Sequence, residues 1–244
     1  MNSGLYTAVS GLRAQMEALD VLSNNLANLN TTGYKEEKTF YTLLNTTMEA
    51  NEAGELGSAI NNQPVLAQRM TNLSDGSLQV TQRELDLALT GNGFLTVETP
   101  RGVRYTRNGS LALDSKSMLC TTEGFPVLGE NGRITLGSGK IDINREGQVS
   151  LNGTRVDRLK LAAFDNSVIL TREGGSLLTP QGNPAQPKMA DVEVRQGYLE
   201  QSNVNPISSV VSMIGIMRQY ESIQKSVQVI MNDMNAKSIE RISR

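Results

Sequence analysis

Two rows of apolar side chains repeating every seven residues, one at each end of the chain, constrain this sequence more than any other feature. Leu5, Leu12, Leu19 and Leu26 form the first row, and Ala8, Gln15, Leu22 and Leu29 fill the second heptad position beside it. Side chains three and four residues apart share one face of a helix, so the stretch predicts an amphipathic helix with an a/d seam. Val9 and Met16 widen its apolar stripe. Ser3 is placed to cap the start and Gly33 to stop the helix, with the last turn fraying over Asn30 to Thr32. At the other end Val210, Met213, Met217, Tyr220, Gln224, Val227, Met231 and Met234 define a second seam. Ile216, Ile223 and Ile230 run parallel to it. Asn205 and Pro206 suit the cap and first turn of that helix. A helix with two apolar rows needs more than one neighbour. A row left over after pairing within the chain predicts an oligomer interface, and repetition of a non-closing contact builds a filament or tube.

Between the helices the texture changes. Asp75-Gly76, Asn92-Gly93, Asn108-Gly109, Asn131-Gly132, Glu146-Gly147 and Asn152-Gly153 punctuate short alternating runs such as RITLG, KIDIN and QVSLNG. Such pairs suit tight hairpin turns, which predicts many short strands. The expected fold class is therefore mixed α and β: long N- and C-terminal helices forming a coiled-coil layer, with a central all-β domain. The expected boundaries are an N-terminal coiled-coil helix over 1–33, a connecting segment or extension over 34–75, the β domain over 76–197, and a C-terminal coiled-coil helix over 198–244.

Composition excludes more than it suggests. A chain of 244 residues with a formal net charge of -2 offers no electrostatic case for nucleic acid or an anionic membrane. There is no histidine, which removes Ser-His and Cys-His nucleophile pairs and His-ligated zinc. The single cysteine, Cys120, has no basic neighbour in SMLCTTEG to activate it and reads as a small buried apolar residue. The first residues lack the pattern of a conventional secretory signal, and no apolar run is long enough to span a membrane.

The apparent chemical motifs dissolve on inspection. GENGRITLGSGK lacks the lysine and hydroxyl of a phosphate loop and reads as a hairpin. Gly91-Asn92-Gly93 lacks the third glycine of a dinucleotide site. Ser222 and Lys225 match S-x-x-K, but in mid-helix and with no K-T-G elsewhere. No catalytic residue, cofactor site or metal site is expected.

Three stretches carry a resemblance. SNNLANLNTTGYK (Ser23 to Lys35), RELDLALTGNGFLTVETPRGVRYTRNGSLALD (Arg83 to Asp114, followed by GFPVLG) and GYLEQSNVNPISSVVSMIGIMRQYES (Gly197 to Ser222) resemble, in this order, segments of the flagellar basal-body rod and hook proteins. The resemblance implies a non-enzymatic structural subunit that polymerises helically into a hollow axial rod crossing the periplasm. Its implied partners are itself, other proximal and distal rod subunits, and the flagellar export apparatus, through which it leaves without a cleaved signal peptide. No nucleic acid or small-molecule substrate is implied. Within the family the layout is nearer a proximal than a distal rod subunit, and the β region is too short for a hook protein. A binding module with an oligomerising coiled coil is the reading from another class.

The expected N-terminal interface residues are Leu5, Leu12, Leu19, Leu22, Asn24, Asn25, Leu26, Asn28, Leu29, Asn30, Gly33 and Tyr34. Asparagine is a poor residue for a helix interior, so Asn24, Asn25 and Asn28 read as amides buried across subunit contacts, where they would set register. The expected C-terminal interface residues are Val210, Met213, Ile216, Met217, Tyr220, Ile223, Val227, Ile230, Met231 and Met234. With no partner for these rows, both termini are expected to be largely disordered before assembly.

Overall fold

The computed structural model describes residues 2–45, 62–164, 168–182, 188–189 and 192–242. The chain divides into two compact units. One comprises Met1–Leu26, Lys38–Arg69 and Pro206–Arg244; the other comprises Ala27–Glu37 and Met70–Asn205.

The first unit holds two helices, α1 (Asn2–Ala27) and α2 (Pro206–Ile242). Pro206 opens α2, where its missing N–H costs nothing. With 37 residues, α2 is about 55 Å long at the rise of an α-helix. Strands Glu37–Asn45 and Asn62–Thr71 pair as a two-stranded sheet, most of which lies in this unit. Within the connecting segment expected at 34–75, residues 46–61 lie outside the described residues.

The expected coiled-coil layer is the correction. Among the described residues there are two helices and no coiled-coil layer. They do touch: the Gln15 side-chain amide donates to that of Gln219 at 3.2 Å, and Gly11 sits close to the Ile223 side chain. The faces turned inward overlap only in part with the ones read from the heptads. On α1 the buried positions are Ala18, Val21 and Asn25, while Leu12, Leu19, Leu22 and Leu26 are only half-buried. On α2 the half-buried row is Met213, Ile216, Tyr220, Ile223 and Val227, and Met217 is exposed. Both rows keep the alternation of three and four residues, but α2 uses Ile216 and Ile223 where the heptad reading used Met217 and Gln224. Periodicity gives the spacing of a seam; which of two overlapping rows turns inward is decided by the shape of the surface it meets.

The second unit is a stack of short antiparallel strands. Its largest sheet has six strands in the order Leu170–Arg172, Leu177–Pro180, Gly102–Thr106, Phe94–Thr99, Leu161–Ala163, Lys188–Met189. Successive side chains of a strand point to opposite faces, and the two faces of this sheet bury two separate clusters. Leu95, Val97, Leu161 and Leu177 join the main core with Leu111, Leu119, Ile134 and Val149. Phe94, Tyr105, Ala162, Leu170 and Leu178 form the smaller cluster, where Phe164 packs edge-on to Tyr105 at 4.7 Å between ring centroids. The expected central β domain is thus present. Asn152-Gly153 forms the predicted two-residue hairpin turn, both residues at positive φ, closing Leu151 onto Thr154. Gly76 and Gly109 serve otherwise: a side chain on either would collide with a carbonyl oxygen, of Gln201 and Leu87 respectively.

Candidate functional site

The end of α1 and the residues after it give the stretch SNNLANLNTTGYK its geometry. Past Ala27, asparagine and threonine compete with the helical backbone for hydrogen bonds and take it over. The Thr31 N–H donates to the Asn28 carbonyl at 3.2 Å, and the Thr31 hydroxyl donates to the Asn28 side-chain oxygen at 3.1 Å. Gly33 then turns the chain at φ +65°, a conformation that favours glycine. Its N–H donates to the Glu200 carbonyl at 2.8 Å, and a Cβ there would lie 2.3 Å from the Arg107 carbonyl carbon.

Directly beyond Gly33 lies a buried ion cluster. The side chains of Lys35, Arg107 and Glu200 are 2 %, 1 % and 1 % exposed. Lys35 Nζ donates to Glu200 Oε1 at 2.6 Å and to the Ser74 carbonyl at 2.7 Å. Arg107 Nη1 donates to Glu200 Oε2 at 3.2 Å and to the Leu89 carbonyl at 3.0 Å, and Nη2 donates to the Gly91 carbonyl. The Gly76 N–H adds a third donor to the Glu200 carboxylate at 2.9 Å. Asp75, 47 % exposed, approaches the two cations at 3.4 Å from Arg107 and 4.0 Å from Lys35. The Arg107 guanidinium also lies over the Phe94 ring, 5.2 Å from its centroid. Burial pulls the Lys35 ammonium below its ordinary pKa, and the Glu200 carboxylate opposes that shift.

Two further side chains close the region. The Asn203 amide accepts from the Glu36 N–H at 2.7 Å and donates to the carbonyls of Asn72 and Ser74. Arg172 stacks on Tyr34 at 3.8 Å from the ring centroid, donates to the Lys35 carbonyl and faces Glu37 at 3.5 Å. Burial raises the Tyr34 phenol above its ordinary pKa against the pull of the Arg172 charge. The segments 33–37, 72–76 and 197–203 are thereby laced side by side.

The expected interface residues fall into different environments. Asn25, Gly33 and Tyr34 are buried, whereas Asn24 and Asn30 are exposed. Asn24 donates back to the Asp20 carbonyl one turn earlier at 2.9 Å. Asn28 and Leu29 are half-buried. On α2, Val210, Met217, Ile230 and Met231 are exposed, and Ile207, Val211 and Ile214 extend that apolar surface. The side chains of Leu5 and Met234 lie outside the described residues. Lys35, Arg107, Glu200 and Asn203 were not singled out from the sequence. A charged residue in GYK, RYTRNG or GYLEQ carries no local sign of burial, because its partner is far away in the chain.

Comparison with known proteins follows the same segments. Residues 5–35 match the family described as flagella basal body rod protein. Residues 88–151 match the flagellar hook protein FlgE/F/G D1 domain, and residues 195–241 the flagellar basal body rod FlgEFG protein C-terminal family. The chain is 32 % identical over 248 residues to the flagellar basal-body rod protein FlgF of Caulobacter vibrioides, covering 100 % of this chain and 99 % of that protein. It is 34 % identical over 254 residues to the FlgG of Buchnera aphidicola subsp. Schizaphis graminum, covering 93 % and 95 %. The FlgG of Bacillus subtilis is 30 % identical over 249 residues, at 93 % and 94 %. Lys35, Arg107 and Glu200 come one from each of the three matched segments.

Proposed function

The chain belongs to the flagellar basal-body rod protein family, and on that premise we propose that it occupies the proximal rod as an FlgF-type subunit. It is a structural subunit of the basal body, not an enzyme, and assembles with other rod subunits. The FlgF assignment is favoured over FlgG because the alignment with FlgF spans the whole of both chains. Delivery to the rod by the flagellar export apparatus belongs to the same proposal.

The observation that carries the reading is the apolar surface left uncovered on α2. Ile207, Val211, Ile214 and Met217 follow one another along one side of the helix and are exposed. Stability within a single subunit does not call for such a row; contact with a neighbouring subunit does. We assign that role to Ile207, Val210, Val211, Ile214, Met217, Ile230 and Met231 on α2 and, at the N-terminal end, to the Leu5–Leu29 rows with Asn24 and Asn28. Expression in strains lacking either FlgF or FlgG tests the assignment. Restored motility and complete rods only in the strain lacking FlgF support it. Rescue only of the strain lacking FlgG moves the chain to the distal rod. Rescue of neither, with the protein stably expressed, refutes the proposal.

A further inference from the structure

We propose that Glu200 is the keystone of an internal latch that holds together the chain segment leaving α1 and the one leading into α2, and that this latch is closed in the isolated subunit before any neighbour is present. The chain first enters the second unit at Ala27, the end of α1, and leaves it for the last time at Asn205, just before α2. Between those points and the β strands, both segments converge on one residue. The Glu200 carboxylate receives Lys35 from the first segment, Arg107 from just past the strand Gly102–Thr106 and the Gly76 N–H; the Glu200 carbonyl receives Gly33. Asn203 adds a second tie, to Glu36.

The chemistry favours an all-or-none latch. Two cations are buried against a single buried carboxylate, and the half-exposed Asp75 supplies the balancing charge at longer range. Removing the carboxylate charge leaves both cations desolvated and unpaired, a state far more costly than the intact cluster. Removing Lys35 instead leaves the Arg107–Glu200 pair whole but takes away the first segment's tie to the carboxylate, leaving the bonds of Gly33 and Glu36 to hold it alone. The consequence is that residues 33–37 and 197–203 are tied side by side within the folded body, whether or not the helices they adjoin are ordered. The latch bears on assembly only through the rod-subunit reading; its existence does not depend on that reading.

Hydrogen exchange on the full-length isolated chain tests it, comparing wild type with Glu200→Gln and Lys35→Met. The reporter amides are Gly33, which donates to Glu200, and Glu36, which donates to Asn203. The control amides are Val127 and Leu119, bonded within the β core. The expected result is strong protection of Gly33 and Glu36 in wild type. It falls about tenfold or more in Lys35→Met, with Val127 and Leu119 unchanged, and further in Glu200→Gln. Unprotected reporters in wild type overturn the latch, as do reporters that keep wild-type protection in both variants. Parallel loss at reporters and controls in Lys35→Met also overturns it, since the cluster is then only part of the core. Failure of rod assembly by a chain whose reporters are protected counts against the rod reading and leaves the latch standing.

Discussion

At the scale of single residues, the decisive positions are those where a side chain is refused or a charge is hidden. Gly33 combines a left-handed φ with a backbone neighbour so close that no side chain fits. Gly33→Ala is expected to destabilise the second unit by about 2 kcal/mol or more, read as a lower denaturant midpoint. Gly153, also at positive φ but with open space beside it, provides the contrast. Gly153→Ala should cost only about 1 kcal/mol, the conformational penalty alone. Lys35 gives a pH signature. Its folded pKa lies below 10.5, so between the two values the unfolded chain binds more protons and stability rises with pH. Tyr34 acts oppositely above 10.0, because its raised phenol pKa keeps the proton in the folded chain. The Lys35 contribution is therefore read as a difference: urea midpoints of wild type should gain on Lys35→Met as pH climbs toward 10.5. A constant difference across that range would show that the ammonium is not desolvated.

At the scale of elements, α2 presents two apolar faces with different tasks. Ile223 belongs to the half-buried row and lies beside Gly11 of α1, whereas Ile214 is exposed. Ile214→Asp should leave the stability of the isolated chain within about 0.5 kcal/mol of wild type and abolish incorporation into rods. Ile223→Asp should loosen the helix pair itself, lowering helical content by circular dichroism before assembly is attempted. Equal behaviour of the two variants would erase the distinction between the faces. The element scale also shows how far pattern reading reaches. The presence of a helix at each end of the chain was legible from heptad spacing and from Pro206, and the many-stranded middle from its X-Gly punctuation. The inward rows were legible only in part, because Met217 and Ile216 are equally apolar and sit one residue apart on the same helix. The end of α1 at Ala27 rather than near Gly33 reflects Asn28 and Thr31 bonding to one another, an outcome that propensity alone leaves open.

At the scale of the whole molecule, the chain consists of a β unit with its own core and a helical unit whose described α2 side chains are mostly exposed. That asymmetry predicts unequal order. Hydrogen exchange of the isolated chain should show strong protection at core amides such as Leu111 and Val127 and weak protection along α1 and α2. In assembled rods the helices should become protected while the core amides stay as they were. Equal helix protection in both states would mean that α1 and α2 are already stable without neighbours. Periodicity, punctuation and the three motif segments by themselves determined the kinds of element, their order and the family, since these depend on neighbours close in the chain. Only the tertiary structure decided that Lys35, Arg107 and Glu200 share one buried site and which row of each helix faces inward. A buried charge is stabilised by partners distant in sequence, and the face a helix buries depends on the surface it packs against.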